Sequence, residues 1–429
     1  MNPPVKVSRW WRDVSKHQWL ALAGAWLGWV FDAMDSTIYA IVLQPALNDL
    51  LLPNASNAAI EWYGGIIFSL FLLGWALGGV LFGLLADYFG RTRILIATIL
   101  LYSLFTGLAA LSHSWVELLI FRFLTALGIG GEWAAGAALV AETWPDEKRA
   151  SAAGILQSAW AGGFFLAALA NLYLGRFGWR ILFTVGILPA FATLLIRFWV
   201  REPVRWTVSR KGLDSVTLRE SAAISLARLF SPEFRKRTMV GSLLAFVAVF
   251  GLWGATNWTP TLVRQLLSGG NPDPGALNRA VSYAVMSLNI GALAGYLSFG
   301  PLANAIGRRG AFFVMCLGSF VLLPAVYFTP KEYATLLWLL PLLGFFNNGI
   351  FSGFPIYLPE LYPTSLRATG VGFCFNIGRI AASAGPFLKG YLGALFGPGK
   401  AASLIGLVYL VGIVTLIFAD ETKGRPLPD

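Results

Sequence analysis

The sequence predicts an all-α polytopic membrane protein, with about twelve transmembrane helices in two pseudo-symmetric six-helix bundles. Three observations carry this expectation. The 429-residue chain is 57% hydrophobic and only 12% charged, against about 25% charged residues in soluble domains. Apolar stretches of about 20 residues, enough to cross a bilayer, recur along its whole length. Finally, the run Gly83-Leu84-Leu85-Ala86-Asp87-Tyr88-Phe89-Gly90-Arg91 returns as Gly300-Pro301-Leu302-Ala303-Asn304-Ala305-Ile306-Gly307-Arg308, 308 − 91 = 217 positions later. Gly74-x-x-x-Gly78 returns at the same offset as Gly291-x-x-x-Gly295. Glu142-Thr143-Trp144-Pro145 with Arg149 returns as Glu360-Leu361-Tyr362-Pro363 with Arg367. Duplication of a membrane-embedded unit is how many alternating-access folds are built.

Taken in order, residues 1–18 form a basic tail placed in the cytoplasm. The first bundle covers 19–200, with spans centred near Trp29, Leu73, Leu100, Leu127, Phe164 and Ile187. The first span is too long for a cleavable signal and carries Asp32 and Asp35 in its middle. Residues 201–237 are polar, basic and broken by Pro203 and Pro232, which marks a cytoplasmic loop. Within it, Leu218, Ile224, Leu226, Leu229 and Phe230 suit a short helix lying on the membrane surface. The second bundle covers 238–421, with spans centred near Phe250, Leu293, Leu317, Phe345, Ala384 and Val411. Residues 422–429 form a second cytoplasmic tail.

The net charge of +11 reports topology, not a nucleic-acid partner. Lys6, Arg9, Arg12 and Lys16, then Arg91, Arg93, Lys148 and Arg149, the cations of 201–237, and Arg308 and Arg309 all fall on one side. This bias puts both termini in the cytoplasm. Cys316 and Cys374 fall inside expected spans, without metal-ligand spacing. No cofactor is expected, and His17 and His113 lie outside the span interiors, so an enzyme is not indicated. The expected partners are the bilayer, protons and a small organic anion, with the chain acting as a monomer.

Glycines at four-residue spacing let helices approach closely, so their faces belong at packed seams. Gly90 and Gly307 suit positive-φ turns at helix ends. Asp87 is placed to accept hydrogen bonds from a helix N-terminus across the seam, or to pair with Arg91. Glu142 with Arg149, and Glu360 with Arg367, are expected as two charged pairs on the cytoplasmic rim, with Arg308 beside the second. Together these charges suit a latch that opens and closes that side. Asn304 in place of the second aspartate predicts an asymmetric latch.

Ionisable groups inside spans are costly and mark function. Asp32 and Asp35 lie one helical turn apart on one face. Arg122 in the fourth span is expected to neutralise one of them, and Asp35 is favoured by depth as the proton carrier. Glu132, in the same span as Arg122, is either a second proton site or a structural acceptor. Arg379 is the only deep cation of the second bundle and is expected to grip a carboxylate through two parallel hydrogen bonds. Asn376, Gln157, Trp160, Tyr39, Asn257, Asn347 and Tyr357 are candidates for the walls of the same cavity. Trp253, Asn289 and Asn348 are weaker ones.

These residues resemble the major facilitator superfamily over essentially the whole chain. Gly83 to Arg91 is similar to its shared loop motif, and Arg122 with Gly128 and Gly130 to its fourth-helix motif. The runs from Glu142 and from Pro359, together with Glu421-Thr422-Lys423-Gly424-Arg425, resemble the branch containing sugar porters. A narrower resemblance, to the sialate:proton symporter family, rests on Gln18-Trp19, Ala25 to Trp29, Asp32-x-x-Asp35, Gly130 to Trp133, Glu142 to Pro145, Gly178-Trp179-Arg180 and Gly186 to Pro189. It implies proton-coupled symport of an organic monocarboxylate (sialate-, lactate- or aromatic-acid-like) across a bacterial inner membrane by alternating access. The extra hydrophobic pair usual in sialic acid members is missing from residues 201–237. A sugar or polyol symporter of the same superfamily is the alternative, with Gln157, Asn257 and Asn376 as hydroxyl partners.

Overall fold

A computed structural model describes residues 14–51, 56–191, 196, 199–210, 218–255, 259–267, 274–328, 330, 332–383, 391–392 and 395–428. All regular structure among them is helical. The first half contains α1 (Lys16–Leu50), α2 (Asn57–Phe89), α3 (Arg91–Ala109), α4 (Trp115–Thr143), α5 (Arg149–Leu174) and α6 (Trp179–Thr184). The central segment contributes α7 (Val204–Arg210) and α8 (Leu218–Leu229). The second half contains α9 (Arg235–Ala255), α10 (Thr259–Leu267), α11 (Pro274–Phe328), α12 (Tyr333–Gly349), α13 (Phe354–Tyr357), α14 (Arg367–Ala382), α15 (Pro398–Gly406) and α16 (Val408–Phe418).

Among the described residues, seven helices are long and apolar enough to cross a bilayer by length and composition. One of them, α11, is two expected spans run together across Gly307, whose φ of 88° breaks the helical path. Large apolar side chains such as Leu172, Trp338 and Ile417 point outward, as a surface solvated by lipid requires. The chain is an integral membrane protein. The helix expected from Leu218 is present as α8; its last residue Leu229 is buried, while Ile224 and Phe230 are exposed.

Within the first half α2 and α3 pack on α4 and α1 packs on α5; within the second α11 packs on α12 and α9 on α14. Across the halves, α2 meets α14 and α5 meets α11. Glycine makes these approaches possible. A Cβ on Gly78 would sit 2.0 Å from the Leu127 carbonyl oxygen of α4, so that glycine tightens its own half. A Cβ on Gly83 would sit 2.6 Å from the Ala368 carbonyl oxygen of α14, and one on Gly300 2.4 Å from that of Ala150 of α5. The first residue of each copy of the repeated motif therefore lies against the other half.

The motif's second glycine bends the chain. Gly90 (φ 115°) and Gly307 (φ 88°) both take positive φ, but with extended ψ of 152° and 165°. The next helix thus begins at once, without the left-handed cap expected from sequence. A carboxylate fills the notch beside each glycine. Glu202 accepts from the backbone N–H groups of Thr92 (3.1 Å) and Arg93 (3.0 Å). Glu421 accepts from those of Arg308 (2.9 Å) and Arg309 (3.1 Å). Each satisfies orphan donors at a helix start.

Candidate functional site

The rim nearest the second chain end, the one expected to face the cytoplasm, holds two buried charge clusters related by the internal repeat. Asp87, at the end of α2, accepts from the backbone N–H groups of Ala368 (3.1 Å) and Thr369 (2.8 Å) and from the Thr369 hydroxyl (2.6 Å). It thereby caps α14 of the other half, and Arg91 lies 3.0 Å from it. The expected pairs Glu142–Arg149 and Glu360–Arg367 do not form; the partners are exchanged. Glu142 binds Arg91 of its own half and Arg367 of the other, both at 2.9 Å. Glu360 binds Arg308 of its own half at 2.9 Å and Arg149 of the other at 3.4 Å. The reason is geometric: Arg149 and Arg367 begin the helices α5 and α14, which face the opposite half. Asn304 accepts from Arg308 at 3.1 Å and stays within its own half, whereas Asp87 crosses. Trp206 of α7 donates to the Asp87 carbonyl at 2.9 Å, which docks the central segment beneath this rim.

Inside the first half, α1 and α4 bring the other charges together. Arg122 grips Asp35 with two parallel hydrogen bonds of 3.0 and 2.7 Å, and the Thr106 hydroxyl adds a third donor at 2.8 Å. The guanidinium is enclosed by the rings of Tyr39 (4.6 Å), Phe71 (4.9 Å) and Phe183 (5.4 Å). Asp32, one turn earlier, is fully buried and neither of its carboxylate oxygens has a hydrogen-bond partner. Glu132 is equally buried, with one oxygen unpartnered. It reaches α1 because residue 28 is glycine: a Cβ there would sit 2.3 Å from its Oε1. Asp32 and Glu132 act on each other electrostatically, and Tyr102 lies in the field of both. Asp35 takes both terminal nitrogens of Arg122, whose Nε is buried without a partner, and among the described residues no cation pairs with Asp32 or Glu132.

Arg379 of α14 stands apart. It is 4% exposed, and among the described residues no carboxylate pairs with it. One terminal nitrogen donates to Asn376 Oδ1 (2.9 Å) and to the Phe375 carbonyl (3.2 Å). Nε is buried without a partner, so the edge formed by Nε and the second terminal nitrogen is open. The guanidinium carbon lies 4.4 Å from the ring centre of Trp75, in the first half, and 4.5 Å from that of Phe375. Asn376 donates to the Gly372 carbonyl at 2.8 Å and packs where a Cβ on Gly79 would be, 1.9 Å from its Nδ2. Arg379 therefore sits on the seam between halves.

The remaining candidates divide. Trp160 joins the aromatic cluster, 5.2 Å from Trp29 and 6.2 Å from Trp75 between ring centres. Gln157 is buried with an unpartnered Oε1. The Tyr39 ring lies against the Arg122 guanidinium. Asn347 accepts from the Tyr409 hydroxyl, and Asn348 from that of Tyr296 at 3.3 Å, both inside the second half. Tyr357 is not brought to the seam: its hydroxyl donates to the Asp420 carbonyl at 3.0 Å, near the cytoplasmic end. Asn257 lies outside the described residues, as does the side chain of Trp253. Cys316 and Cys374 are buried and free.

Sequence reasoning missed Trp29, Trp75, Trp133 and Phe375. The signal was present, because Trp29, Trp75 and Trp133 fall mid-span, whereas interfacial belts hold tryptophan near span ends. It also missed the caps by Glu202 and Glu421. The repeat offset grows from 308 − 91 = 217 through 360 − 142 = 218 to 421 − 202 = 219, and following that drift relates Glu202 to Glu421.

Comparison with known proteins agrees with this architecture. The chain is 34% identical over 418 residues, covering 96% of it and 99% of the relative, to a Haemophilus influenzae protein named for metabolite transport. It is 29% identical over 413 residues to a sialic acid transporter of Escherichia coli, covering 96% of both. The fold superposes on the proton:xylose symporter XylE with a TM-score of 0.78 at 18% identity, over 96% of this chain and 98% of the other. The model of the Major Facilitator Superfamily matches residues 25–298 and 275–429. The chain belongs to that superfamily of transporters, close to its sialate and organic-acid carriers.

Proposed function

We propose that the protein is a proton-coupled symporter that takes up a small organic monocarboxylate across a bacterial inner membrane, with both termini in the cytoplasm. The observation that carries this reading is the open edge of Arg379. A buried guanidinium without a counter-ion is costly, and a two-donor edge is the shape that binds a carboxylate bidentately. Asn376 holds the other edge, which fixes the direction of the fork. The site lies between the halves, where rocking of one bundle against the other exposes it alternately to each side.

Asp32, Asp35 and Glu132 supply the proton site. With Arg122 committed to Asp35, Asp32 and Glu132 are carboxyl groups that only a proton can neutralise without a second cation. Protonation of Asp35 would in turn release Arg122. The exchanged pairs of the rim, with the Asp87 cap on α14, form the cytoplasmic gate. They are made in this cytoplasm-closed arrangement and must break for inward opening.

Uptake into proteoliposomes under an imposed pH gradient, with lactate, sialate, benzoate and neutral sugars as cargo, tests the reading. Arg379→Ala is expected to abolish saturable uptake of the acid while leaving a monodisperse, folded protein. Normal uptake by that variant, or a preference for neutral sugars, would overturn the carboxylate clamp. Asp32→Asn and Asp35→Asn are each expected to weaken the dependence of uptake on the pH gradient. An unchanged dependence in both would remove the proton site.

A further inference from the structure

A groove of about 920 Å³ opens on the outer surface of the second half, between α9 and α16, with Ile377 and Gly378 of α14 beside it. The two helices that flank it touch at both ends. At the deep end, a Cβ on Gly412 of α16 would sit 3.0 Å from Val247 Cγ1 of α9. At the rim end, Asp420 pairs with Arg237 at 3.2 Å and with Lys236 at 3.4 Å. Between these contacts, Met239 and Leu243 of α9 and Val411 and Val414 of α16 stand exposed as walls over a buried floor of Val240 and Thr415. From Arg235 to Phe246 the lining climbs 246 − 235 = 11 residues, or about 16 Å of helix. One leaflet supplies about half of a roughly 30 Å hydrocarbon core, so the groove is as deep as one leaflet's acyl chains.

The rim end of the groove carries more cations than its carboxylates pair. Arg235, Lys236 and Arg237 follow one another at the start of α9, and among the described residues only Asp420 pairs with any of them. Arg235 and Lys236 line the groove and are exposed, and no described carboxylate pairs with Arg235. Arg228 of α8 approaches the same end: its guanidinium carbon and that of Arg237 lie 5.6 and 5.9 Å from the Phe234 ring centre. Glu233, the other acid of this stretch, is in none of these pairs. We propose that the groove seats an anionic phospholipid of the leaflet on the rim side, its phosphate on Arg235 and Lys236 and its acyl chains along Leu243 and Val414. Every apolar face of a membrane protein meets lipid. This one joins a leaflet-deep channel to unpaired cations at headgroup level, and basic pockets between spanning helices are where anionic headgroups bind. A guanidinium takes a phosphate through two parallel hydrogen bonds, and an ammonium adds a point charge. Lys236 is free to turn, because its exposed pair with Asp420 is weak. The Arg237–Asp420 pair can stay in place, so the lipid need not break the tie between α9 and α16. The inference does not depend on what Arg379 binds.

Native mass spectrometry of the full-length protein, titrated in detergent with dioleoylphosphatidylglycerol or dioleoylphosphatidylcholine, reads the bound lipid directly. The anionic lipid is expected to bind about tenfold more tightly than the zwitterionic one. Arg235→Gln combined with Lys236→Gln, both at exposed positions, is expected to erase that preference. Val414→Trp fills the groove without touching the charges and is expected to lose the tightly bound copy of either lipid. Met286→Trp, at an exposed position of α11 that does not line the groove, is expected to change neither. Equal binding of the two lipids, or a preference that survives the double glutamine variant, overturns the headgroup seat. Unchanged binding by Val414→Trp, or an equal loss in Met286→Trp, overturns the groove.

Discussion

At the scale of single residues, the two buried guanidinium groups behave oppositely. Arg122 is spent on Asp35, so Arg122→Ala leaves a carboxylate buried without its partner, at a cost of about 3–5 kcal/mol. Thermal unfolding in detergent is expected to show this as a large drop in Tm. The charge-free pair Asp35→Asn with Arg122→Gln should recover much of it, because the two changes share one interaction. Arg379 has no such partner among the described residues, and in the proposed clamp its fork matters more than its charge. Arg379→Lys keeps the cation and loses the fork; KM for the transported acid is expected to rise about tenfold or more. The charges themselves were legible in the sequence, because hydrocarbon makes ionisable residues rare enough to stand out. The mid-span tryptophans were legible singly, but their convergence was not. The four come from α1, α2, α4 and α5, and only the rotation of each helix about its axis decides that they converge.

The elements are governed by small residues and by what fills the space they leave. Gly79 admits Asn376, and Gly83 admits the start of α14. Gly83→Val is expected to wedge α2 from α14 and favour the inward-open form. Spin-label distances between the cytoplasmic ends of these helices should lengthen; unchanged distances would show that the contact is not limiting. The bends at Gly90 and Gly307 depend on the carboxylates packed beside them. The Glu421 carboxyl lies below the ordinary glutamate range: burial pushes it up, but the backbone N–H groups of Arg308, Lys423 and Arg309 outweigh that push. Its contribution is therefore complete above the unfolded-state glutamate value and is lost as pH falls through the lowered folded one. Glu421→Gln should flatten the acid side of a Tm-against-pH profile, from the ordinary glutamate range downward. Helix positions were readable from apolar length and the bends from the repeated glycines. The caps escaped because no shared motif marks Glu202 and Glu421, and only the slowly growing repeat offset relates them.

For the whole molecule, the proposed gate is the rim. Glu142→Gln removes the carboxylate that holds Arg91 and Arg367 together, and Glu360→Gln does the same to Arg308 and Arg149. Each is expected to raise cysteine-labelling accessibility from the cytoplasmic side, and the double variant to raise it further than either alone. Closed behaviour in the double variant would assign the rim charges to loop anchoring only. The duplication was plain in the sequence, yet the exchange of partners was not, since Arg149 is as near in sequence to its own glutamate as Arg367 is to its own. Only the facing of α5 and α14 toward the opposite half decides the matter.

That exchange has an ancestral meaning. Arg149 meets Glu360 as Arg367 meets Glu142, and Gly83 meets Ala368 as Gly300 meets Ala150. Such reciprocity is the mark of a two-fold homodimer, in which residue i touches j and j touches i. The interface thus preserves the contact between two copies of a six-helix progenitor, and the central segment is the splice that joined them. Co-expressed as separate polypeptides, the two halves already carry the complementarity needed to find each other.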